Sequence, residues 1–222
     1  FVSAVTHELR TPLTTLRLYL DMLLGGMVRE EQKSEYLRTL YGEADQLGRL
    51  VTNVLDFSRL EKQRPRLVRS KVTVSALLEG VRQTWQGRCH DAGKELVLEC
   101  GLPEETVLET DAELLQQVIG NLIDNACKYS HDAEDPRIWL RVTGEKGKLF
   151  FDVEDCGPGI PPRERRTVFR PFRRGRSADA TGGGVGLGLA LGRRWAHLLG
   201  GKLDLRPSSC GACFRLELPH QN

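Results

Sequence analysis

Apolar residues recur every three or four positions from the start of the chain, at Val5, Leu9, Leu13, Leu16, Leu20, Leu23 and Met27. That spacing puts them on one face of a long helix. After Gly25-Gly26, two poor helix formers suited to a turn, the spacing returns at Leu37, Leu40, Ala44, Leu47, Val51 and Val54. The pattern predicts a helical hairpin. One hairpin leaves much of its apolar stripe uncovered, so the economical way to bury it is a four-helix bundle made by two copies of the chain. The periodicity stops near Gln63-Arg64-Pro65-Arg66, because proline cannot continue a helix and restricts the residue before it. A domain boundary is expected there, dividing the chain into 1–65 and 66–222.

Beyond the boundary the signals alternate. A short strand is expected near Leu67 to Val72, a helix from Val74 to Ala92 and a strand from Leu96 to Cys100. Asp111 is placed to cap a strongly apolar helix carrying Leu114, Leu115, Val118, Ile119, Leu122 and Ile123 as far as Tyr129. Two strands follow around Ile138 to Val142 and Leu149 to Val153 with a turn at Gly147, then a helix from Leu187 to Leu199 and a hairpin from Lys202 to Leu218. The second unit therefore reads as a mixed α/β domain.

A length of 222 residues is enough for two cores. The formal charge of +2 gives no electrostatic reason to expect nucleic acid as a partner. Six cysteines lack the regular spacing of a disulfide framework, which predicts free structural thiols and a reducing, cytoplasmic compartment. The CGAC pair Cys210 and Cys213 has no second pair to complete a zinc site. No apolar run reaches the ~20 residues of a membrane span, so no membrane contact is expected of this chain. It opens at Phe1 without an initiating Met or a signal peptide and reads as a fragment of a longer protein.

Four groups of residues carry chemistry. On the first helix His7 lies roughly 200° round from Leu9, facing away from the apolar seam. An imidazole with a reference pKa near ~6.5 is largely neutral and nucleophilic at cytosolic pH, and Glu8 beside it can hold or take the ring proton. Taken alone, one exposed histidine would mean nothing. On the apolar helix, Asn121, Asn125 and Lys128 recur at four and three residues and share a face suited to a metal-phosphate group, since magnesium prefers oxygen ligands and an ammonium neutralises phosphate. An ordinary exposed polar face would look the same. A strand then runs into Asp155-Cys156-Gly157-Pro158-Gly159-Ile160. Here two glycines allow close backbone approach to a flat ring and Asp155 can accept a hydrogen bond from the amino group of adenine, which guanine lacks at that corner. A plain β-turn is the alternative. Finally Gly182-Gly183-Gly184-Val185-Gly186-Leu187-Gly188 leads into a helix, offering a pliable lid and free N–H groups for phosphate. Arg170, Arg173, Arg174 and Arg176 flank it, as a triphosphate clamp or as a solvated charged loop.

With these groups in this order the chain resembles the sensor histidine kinases of two-component signalling, over essentially its whole length. His7 to Leu13 (HELRTPL) is similar to the family's H box, Asn121 to Ser130 to its N box, Asp155 to Pro161 to its G1 box, Phe169-Arg170-Pro171-Phe172 to its F box and Gly184 to Ala190 to its G2 box. The resemblance implies a helical hairpin forming a dimeric four-helix bundle, followed by an α/β sandwich of the Bergerat (GHKL) ATP-binding type. It implies ATP and Mg2+ as cofactors, autophosphorylation of His7, transfer to an aspartate of a response-regulator receiver domain, and a parent protein anchored in the bacterial inner membrane. Glu8 is then the acid/base partner, and Thr11 positions water for dephosphorylating the regulator. Asn125 and Asn121 hold the metal, Lys128 meets phosphate, Tyr129 borders the base and Asp155 reads adenine. Gly157, Gly159, Ile160, Arg173, Arg174, Gly184, Gly186, Leu187 and Gly188 complete the nucleotide site. The related gyrase and Hsp90 ATPases carry a glutamate where Asn121 stands. An amide cannot serve as that hydrolytic base, which favours phosphoryl transfer over hydrolysis. A dominant phosphatase using Thr11, or a scaffold with a vestigial ATP site, are the rival readings.

Overall fold

The computed structural model describes residues 2–62, 66–173 and 186–220, with the side chains of 5–60 in the first stretch. Two long antiparallel helices, α1 (Val2–Leu24) and α2 (Glu30–Lys62), form the hairpin, and Gly26 takes a left-handed backbone at the turn between them. Pro12 lies within α1 without ending it. Tyr19 and Tyr36 face each other across the hairpin with ring centroids 4.8 Å apart. Much of the apolar stripe stays in water in the single chain: Leu13 and Leu37 are each 58% exposed, and Leu20 and Val51 are exposed as well.

The second unit begins with β1 (Ser70–Thr73), α3 (Val74–Asp91), β2 (Glu95–Cys100), β3 (Val107–Thr110) and α4 (Ala112–Tyr129). It continues with β4 (Arg137–Glu145), β5 (Lys148–Glu154), α5 (Gly188–Leu198), β6 (Lys202–Arg206) and β7 (Cys213–Pro219). A five-stranded sheet runs β2-β4-β5-β7-β6, with β2 and β4 parallel and the other pairs antiparallel, while β1 and β3 form a separate two-stranded ribbon. β3 escaped the sequence pattern because four residues with two buried positions give little periodicity. Its pairing with β1 sets the starts of both long helices. Thr73, ending β1, caps α3 by accepting from the Ala76 N–H, and Asp111, just past β3, caps α4 by accepting from Leu114 at 3.1 Å. The second Asp111 oxygen takes the Val68 N–H at 2.9 Å.

Helices α3, α4 and α5 cover one face of the sheet. α4 buries Leu115, Val118, Ile119, Leu122 and Ile123 against Ile138, Leu140, Val142, Phe151 and Leu216 of the strands. The alternate residues of β4 turn outward, where the Arg137 and Arg141 guanidinia lie 4.9 and 5.0 Å from the Trp139 ring. Gly120 lets Trp85 of α3 lie on α4, for a Cβ at 120 would stand 2.9 Å from the indole.

The α/β unit rests on α2 of the hairpin, where Leu50 and Phe57 are buried in the common core and Val54 and Leu60 pack beside them. Phe57 of α2 is buried, meets Phe172 edge-on at 5.5 Å between centroids and lies 4.5 Å below the Arg194 guanidinium of α5. Phe172 holds a left-handed backbone, φ 61°, a conformation that bulky side chains rarely adopt. Its N–H donates to the Gly186 carbonyl at 3.0 Å.

The cysteines depart from expectation. Cys156 and Cys210 are joined by a disulfide across 54 residues of chain, so the reading of six free thiols is corrected. The spacing rule failed because a single bridge between two loops leaves no repeating pattern. Cys89 and Cys127 remain thiols, with sulfurs 3.6 Å apart between α3 and α4, and Cys100 and Cys213 are also free.

Candidate functional site

The site is built on the polar face of α4. Its apolar face is locked in the core, and that leaves Asn121, Asn125, Lys128 and Tyr129 lining one cavity of about 670 Å³. The volume lies in the ~300–1,000 Å³ range of small-molecule sites. Gly186, Leu187 and Gly188 form another wall, where α5 begins. A helix start with free N–H groups attracts anions, so this wall suits phosphate. Gly188 lies directly beside the amides of α4, since a Cβ there would be in van der Waals contact with the Asn121 and Asn125 side chains, each at 3.8 Å.

Those two amides report on what the cavity accepts. The Nδ2 atoms of Asn121 and Asn125 are buried and have no hydrogen-bond partner among the described residues. Buried polar groups are ordinarily paired, and an amide exchanges its oxygen and nitrogen by rotation about one bond. A cation with oxygen ligands on a phosphate would use the oxygens, so the donor set fits Mg2+. Lys128 pairs with Asp124 one turn back on the same helix, which fixes its ammonium at the cavity edge.

Asp155 lies just past the end of β5, buried, beyond the wall of that cavity. Its Oδ1 accepts the Gly157 N–H at 2.8 Å and the Ala212 N–H at 3.3 Å, leaving Oδ2 for a ligand donor. Burial pushes its carboxyl above the ordinary carboxylate range, opposed by those two N–H groups. Gly157 is pressed onto the N box: a Cβ there would meet the Tyr129 carbonyl at 2.6 Å. Gly159, with φ +67°, meets Gly211 in the same way. Thus the Asp155–Gly159 loop abuts the Tyr129 end of α4. Ile160 packs against the core beside it. Arg173 is exposed and is not among the residues that line the cavity. Arg174, Arg176, Gly184 and the remainder of the lid before Gly186 lie outside the described residues, as does the linker Gln63-Arg64-Pro65.

His7 is elsewhere. Its side chain is 76% exposed on α1, and its Nδ1 lies 3.6 Å from Glu8 Oε1. Thr11 is exposed one turn on. The cavity instead faces α2, where Asp45, Arg49, Asn53 and Asp56 complete its lining. Arg49 is ion-paired with Asp45, and burial raises the Asp56 carboxyl. Sequence reasoning missed these residues because they sit on the polar face of an amphipathic helix, where nothing distinguishes them from solvated charge. It also missed Gly211 and Ala212, whose backbone, not side chain, grips Asp155.

A phosphate-ready helix start, an amide-lined cavity and a buried aspartate just past β5 mark an ATP-binding domain joined to a helical hairpin that bears a histidine. Residues 110–222 match the family described as histidine kinase-, DNA gyrase B-, and HSP90-like ATPase, and residues 1–63 match the His Kinase A (phospho-acceptor) domain. The chain therefore belongs to the sensor histidine kinases. It is 35% identical to the sensor protein KdpD of Escherichia coli K12 over 99% of this chain and 24% of that protein, so it spans about a quarter of that relative's length. Among solved structures it is similar to histidine kinase AdeS of Acinetobacter baumannii, with TM-score 0.72 and 26% identity over 97% of this chain and 98% of that one. It is also similar to full-length ShkA in complex with AMPPNP, with TM-score 0.68 and 29% identity over 98% of this chain and 45% of that one.

Proposed function

We propose that this chain is the catalytic core of a sensor histidine kinase that autophosphorylates His7 from Mg-ATP and passes the phosphoryl group to an aspartate of a response-regulator receiver domain. The observation that carries the reading is the convergence of two buried, unsatisfied asparagine amides with Lys128 and the start of α5 in one cavity. That constellation suits a magnesium triphosphate and little else. The AMPPNP bound in the ShkA complex is a triphosphate analogue of the same class.

Asp155 Oδ2 takes the adenine amino hydrogen, and Tyr129 borders the base. The N–H groups at Leu187 and Gly188 and the Lys128 ammonium hold phosphate oxygens. Asn121 and Asn125 would hold Mg2+, which when bound neutralises charge on the phosphates as it redistributes. Glu8 lies on the Nδ1 side of His7, where it can receive the ring proton while Nε2 acts as the nucleophile. In transfer a bond forms between that nitrogen and the γ-phosphorus. The bond from γ-phosphorus to the β,γ-bridging oxygen breaks, and ADP leaves with the electron pair. Because the cavity faces α2 and not His7, the α/β unit must leave its seat on Phe57 before transfer. Two hairpins pair through the exposed Leu13, Leu20, Leu37 and Val51 stripe into a four-helix bundle. Thr11, exposed one turn beyond His7, orients water for dephosphorylation of the regulator. No helix among the described residues is long and apolar enough to cross a membrane.

The test is a titration with a non-hydrolysable ATP analogue with and without magnesium, on the chain and on Asn125→Ala. Binding that requires magnesium and collapses in the variant is expected. Magnesium-independent binding, equal in both proteins, would leave the amides without their role.

A further inference from the structure

The disulfide sits where it can act on the nucleotide. Cys156 lies between Asp155 and Gly157, the adenine-reading residue and its N–H donor, while Cys210 lies in the β6–β7 turn immediately before Gly211 and Ala212. That turn is wrapped on the aspartate. Asp155 donates its N–H to the Ala212 carbonyl at 3.0 Å and receives the Ala212 N–H on its carboxylate at 3.3 Å. A Cβ on Gly211 would stand 2.5 Å from the Asp155 carbonyl oxygen and 2.7 Å from Oδ1, so the two backbones are in direct contact. The turn itself is braced by Ser208, whose hydroxyl donates to Glu154 at 2.7 Å and accepts the N–H groups of Cys210 and Gly211 at 3.1 Å each. One of the two groups that hold the Asp155 carboxylate thus comes from a loop that the bridge pins to it. Cys210 is exposed and Cys156 partly so, and both sulfurs lie within reach of solutes.

We propose that Cys156 and Cys210 are a thiol-modification site that sets the nucleotide affinity of the catalytic domain, tight when bridged and weak when reduced. This rests on the ATP-binding reading above. Oxidation needs a peroxide or a small-molecule disulfide. With hydrogen peroxide, the exposed Cys210 thiolate attacks one oxygen, the other leaves as hydroxide and is protonated to water, and Cys210 becomes a sulfenic acid. The Cys156 thiolate then attacks that sulfur and expels a second water. Two thiols and one peroxide give one disulfide and two waters. In the reverse direction a dithiol reductant attacks Cys210, Cys156 leaves as thiolate, and the second thiol of the reductant resolves the mixed disulfide. Without the tether the 208–212 turn loosens, the Ala212 N–H is intermittently lost, and the Asp155 carboxylate is less well held for adenine. Loss of one such bond to a charged group for part of the time corresponds to roughly a threefold to tenfold weaker affinity.

The pair Cys89 and Cys127 serves as an internal control, since its sulfurs meet between α3 and α4 and neither cysteine belongs to the 208–212 turn or bonds Asp155. The experiment uses the full chain, equilibrated with oxidised glutathione or with dithiothreitol. Peptide mapping after alkylation reads the bridge, calorimetry with Mg-AMPPNP reads the affinity, and Cys210→Ser and Cys89→Ser are treated in parallel. The Cys156–Cys210 peptide should appear on oxidation, affinity should fall on reduction and return on reoxidation, and Cys210→Ser should stay at the weak value while Cys89→Ser responds like the parent. Equal affinity in both states, or two separate thiols after oxidation, overturns the proposal and leaves ATP binding standing. A response lost in Cys89→Ser but kept in Cys210→Ser overturns it in favour of the other pair. No nucleotide binding in either state overturns the ATP reading and, with it, this one, whatever the peptide map shows.

Discussion

Replacing Phe57 with alanine isolates the contact that holds the α/β unit on the hairpin. The ring packs edge-on against Phe172 at 5.5 Å and under Arg194 at 4.5 Å. An aromatic pair of this kind contributes about 0.5–1.5 kcal/mol beyond its buried area. A partly desolvated cation over a ring contributes about 0.5–2 kcal/mol. Together they favour the docked arrangement by about 1–3.5 kcal/mol, which is a shift of roughly fivefold to a few hundredfold in the docking equilibrium. Loss of the ring also removes the lateral support of Phe172, whose left-handed backbone then relaxes. Hydrogen exchange reads this directly. Amides of 54–60 on α2 and of 169–173 should exchange faster by the same factor in Phe57→Ala, while the α4 core around Ile119 and Leu122 keeps its protection. Since docking turns the cavity towards α2, the variant should also label His7 faster. Unchanged exchange in both segments would refute the claim that these three side chains hold the units together.

Asp155→Asn should abolish ATP-analogue binding by calorimetry without lowering the melting temperature at pH 7. Burial raises the folded-state carboxyl above 3.8, so the native chain holds that proton more tightly than the unfolded one. The stabilisation this gives is complete below the unfolded value and is lost as pH rises through the folded one, so the ionised group carries a cost at neutral pH that asparagine lacks. In the parent, analogue affinity should fall on acidification, through a pKa above that of an ordinary aspartate. A melting temperature that drops sharply in the variant would make the residue structural instead. Gly157→Ala places a methyl 2.6 Å from the Tyr129 carbonyl, which is fixed backbone at the end of α4. Overpacking of this kind costs about 1–3 kcal/mol, and the expected result is an approximately tenfold or greater loss of nucleotide affinity. Light scattering at micromolar concentration should give twice the monomer mass, and a monomer would contradict pairing through the Leu13, Leu20, Leu37 and Val51 stripe.

What could be read in advance follows from how far each signal reaches along the chain. The hairpin, α4 and the strands from Arg137 onward were legible because long amphipathic helices and alternating strands repeat their pattern many times. Asp111 announced itself as a cap by preceding that apolar run, and the structure shows the bond to Leu114. The face bearing Asn121, Asn125 and Lys128 followed from helical geometry alone, and all three line one cavity. Features that depend on residues far apart in sequence were not legible. The β3 strand is defined by its partner β1, the Cys156–Cys210 bridge by the meeting of two loops, and the grip on Asp155 by backbone N–H groups that carry no residue signature. Arg173 shows the converse, since flanking a glycine-rich stretch did not place its side chain in the cavity.

The proposed transfer of the phosphoryl group to His7 from ATP bound in the α4 cavity is tested most directly by labelling. The chain and its His7→Gln variant should be incubated with γ-labelled ATP and magnesium, and the label tested for stability in acid and in alkali. Acid-labile, alkali-stable label on the chain and none on the variant is the predicted result. Equal label on both proteins, or none on either despite demonstrated nucleotide binding, would contradict it.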